Sequence, residues 1–572
     1  MRGRPAPDGA RRIAALDIGS NSIRLIVAEV SPDASYRVID DEKIIARLGQ
    51  GLAESGRLDV GRMAQAVEGI ERLKSIADGF EVQRLRAVAT AAVREATNGA
   101  DLVEMVRARC GLEVEIITAD QEARLAYRSV SNAFHLDEQI ALVVDVGGGS
   151  TEILLSVNGV VEQVYTLKLG AVRLTEMFSP NDPMDEDAFD RMRKYIGDVM
   201  REHADRPWVT PHLMYGTGGT FTALASMSMH RAAPDRSAGD MLPFTIRGYE
   251  MQRSEVRHLL DWLRKLNDRQ RAGVPGLSPD RAGIIVAGVA IADRVMRRFD
   301  VNRLTVHEGG IRDGLILAMV DELTGKSGPK AKRPPVDRVR DVRRFAAKCN
   351  YEVRDSEHVA KLATRIFDQI RAQRPDLGGV LTDGARDMLE AGAVLRDVGY
   401  LVNYTGHHKH SYHLIVHSDL RGFSAREIEV IANVARYHRK SEPKGKHPGY
   451  SALDEGARVT VDALASIVRI ADGLDRTHTQ SVRDVEVVME GDRALFRAVA
   501  AADPAVDLWG AEQKAGMFAR VFGVSVAFEW APVDAIDPAA PEKKPEAAGP
   551  TLMAAGAGSG TGDGKKSERD ES

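Results

Sequence analysis

Cysteine is nearly missing: Cys110 and Cys349 are the only two in 572 residues, far apart and outside any paired Cys/His spacing. This excludes a disulfide framework and a cysteine-based zinc centre, and it suits a reducing compartment. No run approaches the 18 or so uninterrupted apolar residues of a membrane span, and no apolar stretch follows Arg2, Arg4, Arg11 and Arg12 to serve as a signal-peptide core. A cytoplasmic location with no membrane partner is expected. Positive charge is not in excess either, since 78 Lys and Arg face 83 Asp and Glu for a net charge of -5. A surface-wide basic footprint for nucleic acid is thereby excluded, and any polyanion site must be a local patch. With 44% hydrophobic and 28% charged residues, 52 Gly and 23 Pro, the chain is neither disordered throughout nor collagen-like. At roughly 100 to 200 residues per domain, its length holds about three or four domains.

Two segments lack the pattern of a packed core. TGKSGPKAKRPPVD, from Thr324 to Asp337, is rich in Gly, Pro and Lys and reads as an exposed linker. From Pro532 to Ser572 large apolar residues are too sparse to offset the entropy of ordering, so a disordered tail is expected. Before the linker, β-rich runs such as 13–30 and 140–157 alternate with helical patterns such as 58–80, which predicts α/β architecture. After it the pattern turns helical. Ser356 is placed to cap a helix whose Val359, Leu362, Ala363, Ile366, Phe367 and Ile370 share one face, and 383–398, 425–437 and 463–473 look similar.

The strongest signal is a duplication. Leu16-Asp17-Ile18-Gly19-Ser20-Asn21-Ser22 aligns without a gap on Val144-Asp145-Val146-Gly147-Gly148-Gly149-Ser150 at an offset of 128 residues. Each copy reads as a strand ending near a carboxylate, a tight turn of small residues and a second strand. Glycine lets backbone N–H groups converge on an anion, and Ser and Asn add donors. Asp17 and Asp145 would face the same ligand, and carboxylates beside phosphate hold a hydrated Mg²⁺. One copy alone is as readily an ordinary hairpin; two in register indicate similar halves facing each other across a cleft.

The chain here resembles the acetate kinase, sugar kinase, Hsp70 and actin superfamily. Within it, AALDIGSNSIRLIVAEV, AVATAAVREATN, ITADQEARLAYRSV, LVVDVGGGSTEILL, the GTGGT of 216–220, and RAGIIVAGVAIADRV followed by HEGGIRDGLI resemble the exopolyphosphatase and guanosine pentaphosphate phosphohydrolase family over about residues 13 to 320. The resemblance implies two duplicated actin-like (ribonuclease H-like) α/β lobes flanking a cleft, then an all-α HD-like domain. The expected segments are a flexible N-terminus (1–12), a first lobe (13–130), a second lobe (131–323), a linker (324–337), the helical domain (338–531) and the tail (532–572).

Hydrolysis of a phosphoanhydride needs an in-line water, a group to orient and deprotonate it, and positive charge or N–H donors around the phosphoryl oxygens. Glu122 matches the family's catalytic base, although Gln121 stands where a second Glu is common; read alone, Glu122 favours the positive end of a helix dipole. Asp145 and Glu152, with Asp17, resemble the family's magnesium-coordinating acids; otherwise Glu152 would be a solvated strand residue. Arg94 matches an arginine that contacts substrate phosphate, against the plainer reading of a surface ion pair. Ser20, Asn21, Ser22, Gly148, Gly149 and Ser150 are expected around the terminal phosphates, with Gly218, Gly219 and Thr220 as a further loop. Mg²⁺ is the expected cofactor, with Mn²⁺ as a substitute and a monovalent cation as a further candidate; a homodimer is implied as well.

The second half resembles the HD-type domain of long family members, through His358, LRDVG at 395–399, YTGHHKH at 404–410, RYHRK at 436–440 and ADG at 471–473. The His of the His-Asp dyad is replaced by Arg396, a fixed cation without a lone pair, so independent metal catalysis is not expected here. The run holding Arg439 and Lys440 is most simply a solvated face, yet it would also steer and retain a long polyanion. The expected activity is release of orthophosphate from the end of inorganic polyphosphate. The alternative is hydrolysis of the 5′ γ-phosphate of guanosine pentaphosphate to the tetraphosphate, or both in one site. A sugar-kinase-like ATPase and a non-catalytic polyphosphate or alarmone sensor are the readings of other classes, and no specific nucleic-acid partner is expected.

Overall fold

The computed structural model describes residues 11–533 apart from 33, 180–181, 233–245, 326–337 and 419. Nearly all of the expected linker, the tail beyond 533 and residues 1–10 therefore lie outside the described residues. Of the expected flexible N-terminus, Arg11 and Arg12 instead open the first strand, with Arg12 buried beside Glu29 at 3.5 Å.

Two sheets repeat one topology. The first holds β1 (Arg11–Ile18), β2 (Ser22–Val30), β3 (Tyr36–Ile45), β4 (Arg84–Ala89) and β5 (Val114–Ile116) in the order β3-β2-β1-β4-β5. The second holds β6 (Ile140–Val146), β7 (Thr151–Val157), β8 (Val160–Leu167), β9 (Leu213–Thr217), β10 (Glu250–Gln252) and β11 (Arg303–Val306) in the order β8-β7-β6-β9-β11-β10. In each, the first three strands form an antiparallel meander and the next strand joins in parallel beside the first. Ile13, Leu16, Leu142 and Val144 are fully or almost fully buried, as expected of apolar central strands covered on both faces.

Two helices cross between the lobes. Helix Ala119–Ala133 follows the first sheet but buries Ala123 and Val130 against Val143 and Leu154 of the second. Helix Ile311–Leu323 follows the second sheet but packs Leu315, Ile316 and Met319 on Ile13, Ala15 and Ile26 of the first. A boundary at residue 130 thus falls inside a helix that belongs by packing to the other lobe. At roughly 1.5 to 3 kcal/mol for each large apolar side chain buried, this exchange ties the lobes together.

The third region is a helical bundle that ends in a three-stranded sheet, β12 (Val482–Glu490), β13 (Arg493–Ala500) and β14 (Ser525–Pro532), an addition to the all-α expectation. Val485 and Val487 point into the core at a strand's period of two. Helix Val353–Gln373 starts before Ser356, which is buried within it rather than capping it. The helix at Ala425–Tyr437 is closed by a capping box between Ser424 and Glu427.

Candidate active site

The two duplicated turns meet. Gly19 N–H donates to Ser22 O at 3.1 Å and Gly147 N–H to Ser150 O at 3.0 Å, so both hairpins turn identically. A Cβ on Gly148 would stand 2.9 Å from Ser20 Cβ, and one on Gly149 would stand 3.1 Å from Ser20 Oγ. Only glycine permits this approach of one loop to the other. The turns wall a cavity of about 140 Å³, whose lining includes Asp17, Ser20, Asn21, Ser22, Gly148, Gly149, Ser150, Gly218, Gly219 and Thr220, together with Glu122, Asp145 and Glu152. The N-terminal turns of helices Gly219–Ala232 and Ile311–Leu323 open onto the same space and add the positive ends of their dipoles. Gly218 takes a positive φ of 85°, and a Cβ there would meet Asp145 Oδ1 at 2.5 Å.

Glu122 stands in the first turn of helix Ala119–Ala133 and is 4% exposed. Gln121, the departure from the family pattern, completes that helix's capping box: Thr118 N–H donates to Gln121 Oε1 at 2.7 Å, and Gln121 N–H donates to Thr118 Oγ1 at 3.2 Å. Gln121 holds the turn while Glu122 faces the cleft. Arg94 does not line the cavity; its guanidinium donates to Glu122 Oε1 and, at 2.9 Å, to Ile117 O. Burial pushes the Glu122 carboxyl up to about 8 against the pull of Arg94, with Asp17 and Asp145 raising it further.

The register places Asp17 across from Arg24 on β2 and Asp145 across from Glu152 on β7. Glu152 is 3% exposed and belongs to the cleft wall, contrary to a solvated strand residue. Burial lifts Asp17 and Asp145 each to about 6, and it holds Glu152 well above the usual carboxylate range, with Glu122 adding to the effect. Asp17 Oδ1 and Glu152 Oε1 are buried without a hydrogen-bond partner. Buried oxygens left in this condition fit a divalent cation, which would supply the missing positive charge and lower all three pKa values. The three acids do not form a tight cage, since the described clusters of three donor atoms within 4.8 Å lie elsewhere. An open arrangement suits Mg²⁺, which keeps several waters and takes its remaining oxygens from phosphate.

Three arginines complete the wall: Arg24, Arg281 and Arg312. Arg281 packs over Gly219 so closely that a Cβ there would overlap its guanidinium, and Arg312 donates to Asp41 Oδ1 at 2.5 Å and to Leu25 O at 3.2 Å. None was singled out from the sequence. The repeat offset pointed to one of them, because Arg24 occupies in the first copy the place of Glu152 in the second. Arg439 and Lys440 lie apart: neither lines this cavity or the larger one beside it, and Arg439 Nη1 sits 3.2 Å from His407 Nε2.

Residues 26–323 match the model of the Ppx/GppA phosphatase family, and residues 338–498 match Ppx/GppA phosphatase domain III. The chain belongs to the Ppx/GppA phosphatase family. As a member it is a hydrolase acting on phosphoanhydrides, and the family's phosphoryl-transfer enzymes generally need a divalent metal. It is 25% identical over 432 residues to a protein of Vibrio campbellii named guanosine-5'-triphosphate,3'-diphosphate pyrophosphatase, covering 75% of this chain and 80% of that one. A Vibrio parahaemolyticus protein of the same name is 24% identical over 486 residues, covering 84% and 90%. Among solved structures, the Aquifex aeolicus Ppx/GppA family member is 29% identical, with a TM-score of 0.47 over 56% of this chain and 99% of its own. An exopolyphosphatase from Cytophaga hutchinsonii is 25% identical, with a TM-score of 0.49 over 55% and 98%. No described helix of this Ppx/GppA member is long and apolar enough to cross a membrane.

Proposed function

We propose that this Ppx/GppA member is a Mg²⁺-dependent exopolyphosphatase that removes orthophosphate from the end of inorganic polyphosphate. The observation that carries the reading is the meeting of both duplicated turns at one cavity with the buried Glu122 in its wall. Glu122 orients a water against the terminal phosphorus and takes its proton as the new P–O bond forms and the bridging P–O bond breaks. The Ser20, Asn21, Ser22, Gly148, Gly149 and Ser150 turns grip the terminal phosphoryl oxygens, and Arg24, Arg281 and Arg312 offset their charge. Asp17, Asp145 and Glu152 would hold Mg²⁺, which supplies positive charge to the transferring group. Arg94 orients Glu122 in the free enzyme and reaches substrate phosphate when it is bound.

The path beyond the cleft supports polyphosphate. The cavity of about 140 Å³ accepts the terminal phosphoryl groups. Beyond Arg312 and Glu308, which border both spaces, lies a cavity of about 650 Å³ between the lobes and the helical domain. Arg37, Arg247, Arg344, Lys348 and Arg421 line it, mixed with acids such as Asp341, and it extends the path for a longer polyanion. The second reading, hydrolysis of guanosine pentaphosphate, is favoured by the names of the two Vibrio relatives. Phosphate release from long polyphosphate and from guanosine pentaphosphate, measured side by side with Mg²⁺, ranks the two by kcat/KM. A higher value for the pentaphosphate overturns the first reading.

A further inference from the structure

The helical domain holds a second cluster of metal-ligating side chains, distinct from the HD-type position. At that position the metal's place is filled by protein cations: Arg396, 1% exposed, lies 3.0 Å from Asp472 Oδ1 and 3.2 Å from Asp397 Oδ2, and Lys514 closes on the other oxygen of Asp472. Three residues further along each of two chain segments the character changes. Asp355 is followed by His358 and Asp472 by Asp475, and Arg396 still acts on Asp355 from the neighbouring position.

Asp355, Asp475 and His478 each place a donor atom within 4.8 Å of the others. Asp475 is 2% exposed, and while its Oδ1 accepts from Gln480 N–H at 3.0 Å, its Oδ2 is buried with no partner. His358, on helix Val353–Gln373, lies outside this group of three but near enough for its charge to act on Asp475, and its Nε2 is buried with no partner. His478 Nδ1 lies 2.6 Å from Asp355 Oδ2. The carrying loop is built for one shape. His478 and Gln480 both adopt positive φ, 56° and 58°, which non-glycine residues take only when their surroundings hold them there. Thr477 N–H donates to the buried Asp507 at 2.8 Å, and Gln480 Nε2 donates to Arg354 O at 2.9 Å. Lys361, a nearby cation, is turned to Arg483 O at 2.8 Å.

We propose that Asp355, Asp475 and His478 form a structural site for a borderline divalent cation such as Zn²⁺, clamping the start of helix Val353–Gln373 to the loop that leads into β12. An imidazole with two carboxylates suits Zn²⁺ or Co²⁺ with water completing the shell, whereas Mg²⁺ prefers oxygen alone and belongs in the cleft. The ion satisfies the orphan oxygen of Asp475 and offsets the paired acidic charge.

The test uses the full chain stripped with EDTA and titrated with Co²⁺, then Zn²⁺. Expected are the visible d–d bands of four- or five-coordinate Co²⁺, their bleaching by Zn²⁺, and a rise in Tm with Zn²⁺. Asp475→Asn and the exposed His478→Gln should each weaken binding by about ten- to a hundredfold, and neither should alter Mg²⁺-dependent phosphate release. Asp397→Asn, which touches the nearby cluster of Asp397, His407 and His438, should leave the bands in place. Absence of the bands, an unchanged Co²⁺ affinity in His478→Gln, or their loss in Asp397→Asn overturns the proposal.

Discussion

The cleft between the lobes and the pocket around Arg396 are both built on buried carboxylates, yet their electrostatics run in opposite directions. In the cleft, burial outweighs the pull of the nearby arginines and leaves Asp17 and Asp145 near 6 and Glu122 near 8. Around Arg396 the same burial is outweighed: the guanidinium holds Asp397 down at about 2, and Lys514 with Arg396 holds Asp472 far below the usual range. A carboxylate group short of positive charge is poised to take a cation and a phosphate. One that carries its own cations is a finished structural network.

The largest expected effect breaks the chemistry of the cleft alone. Glu122→Gln should lower phosphate release by about 10²- to 10⁴-fold with the fold retained, and a steady-state assay with circular dichroism checks both. Undiminished release would remove Glu122 from the mechanism.

Next comes the helical pocket. Arg396→Met strands Asp397 and Asp472 as buried charges and should cost about 3 to 5 kcal/mol in denaturant unfolding. The isosteric Asp145→Asn in the cleft should not destabilise the metal-free protein at neutral pH. If both variants lose similar stability, the contrast is wrong.

Titration sharpens the same contrast. Asp145 has a folded pKa of about 6, above its ordinary 3.8, so its contribution to stability is complete below about 4 and lost as pH rises through 6. Without metal, Asp145→Asn should therefore match the native chain below pH 4 and exceed it by about 3 kcal/mol above pH 6. Asp397, depressed to about 2, contributes above 3.8 and loses that contribution as pH falls through 2. Unfolding curves across pH 2 to 8 for the native chain, Asp145→Asn and Asp397→Asn separate the two signs.

The smallest effect concerns the basic run. Neutralising Arg439 and Lys440 together should weaken retention of long polyphosphate by a factor of about two to ten and lower its salt dependence, leaving short chains unaffected. Arg281→Met, inside the cleft, should raise KM for both. Equal effects would route substrate across the helical domain and erase the distinction between the regions.

Much of this was legible from the chain alone. The repeat announced that Asp17, Ser22, Asp145 and Ser150 belong together, and in the structure all four line one cavity. Arg281 and Arg312 were not legible, since an arginine in a short turn or at a helix start has no local signature until the chain has folded around the cleft, and Arg24 was signalled only by its place matching Glu152 in the repeat. Ser356 misled because a capping residue and a buried helical serine share the same local pattern, and packing sets the helix start. The sheet β12 to β14 went unread because β13 and β14, which pair in parallel, are joined by helices that look like more of the bundle.

Local composition and periodicity by themselves determined the α/β and helical halves and the duplicated turns, because strand period, glycine geometry and charge act over a few residues, whereas Glu122 as candidate base came from the family resemblance. Only the tertiary structure decided which lobe each crossing helix covers, that Arg94 closes on Glu122, and that Asp355, Asp475 and His478 gather around a buried oxygen left open. Burial and the company of distant charges set those outcomes, and neither exists until the chain has folded.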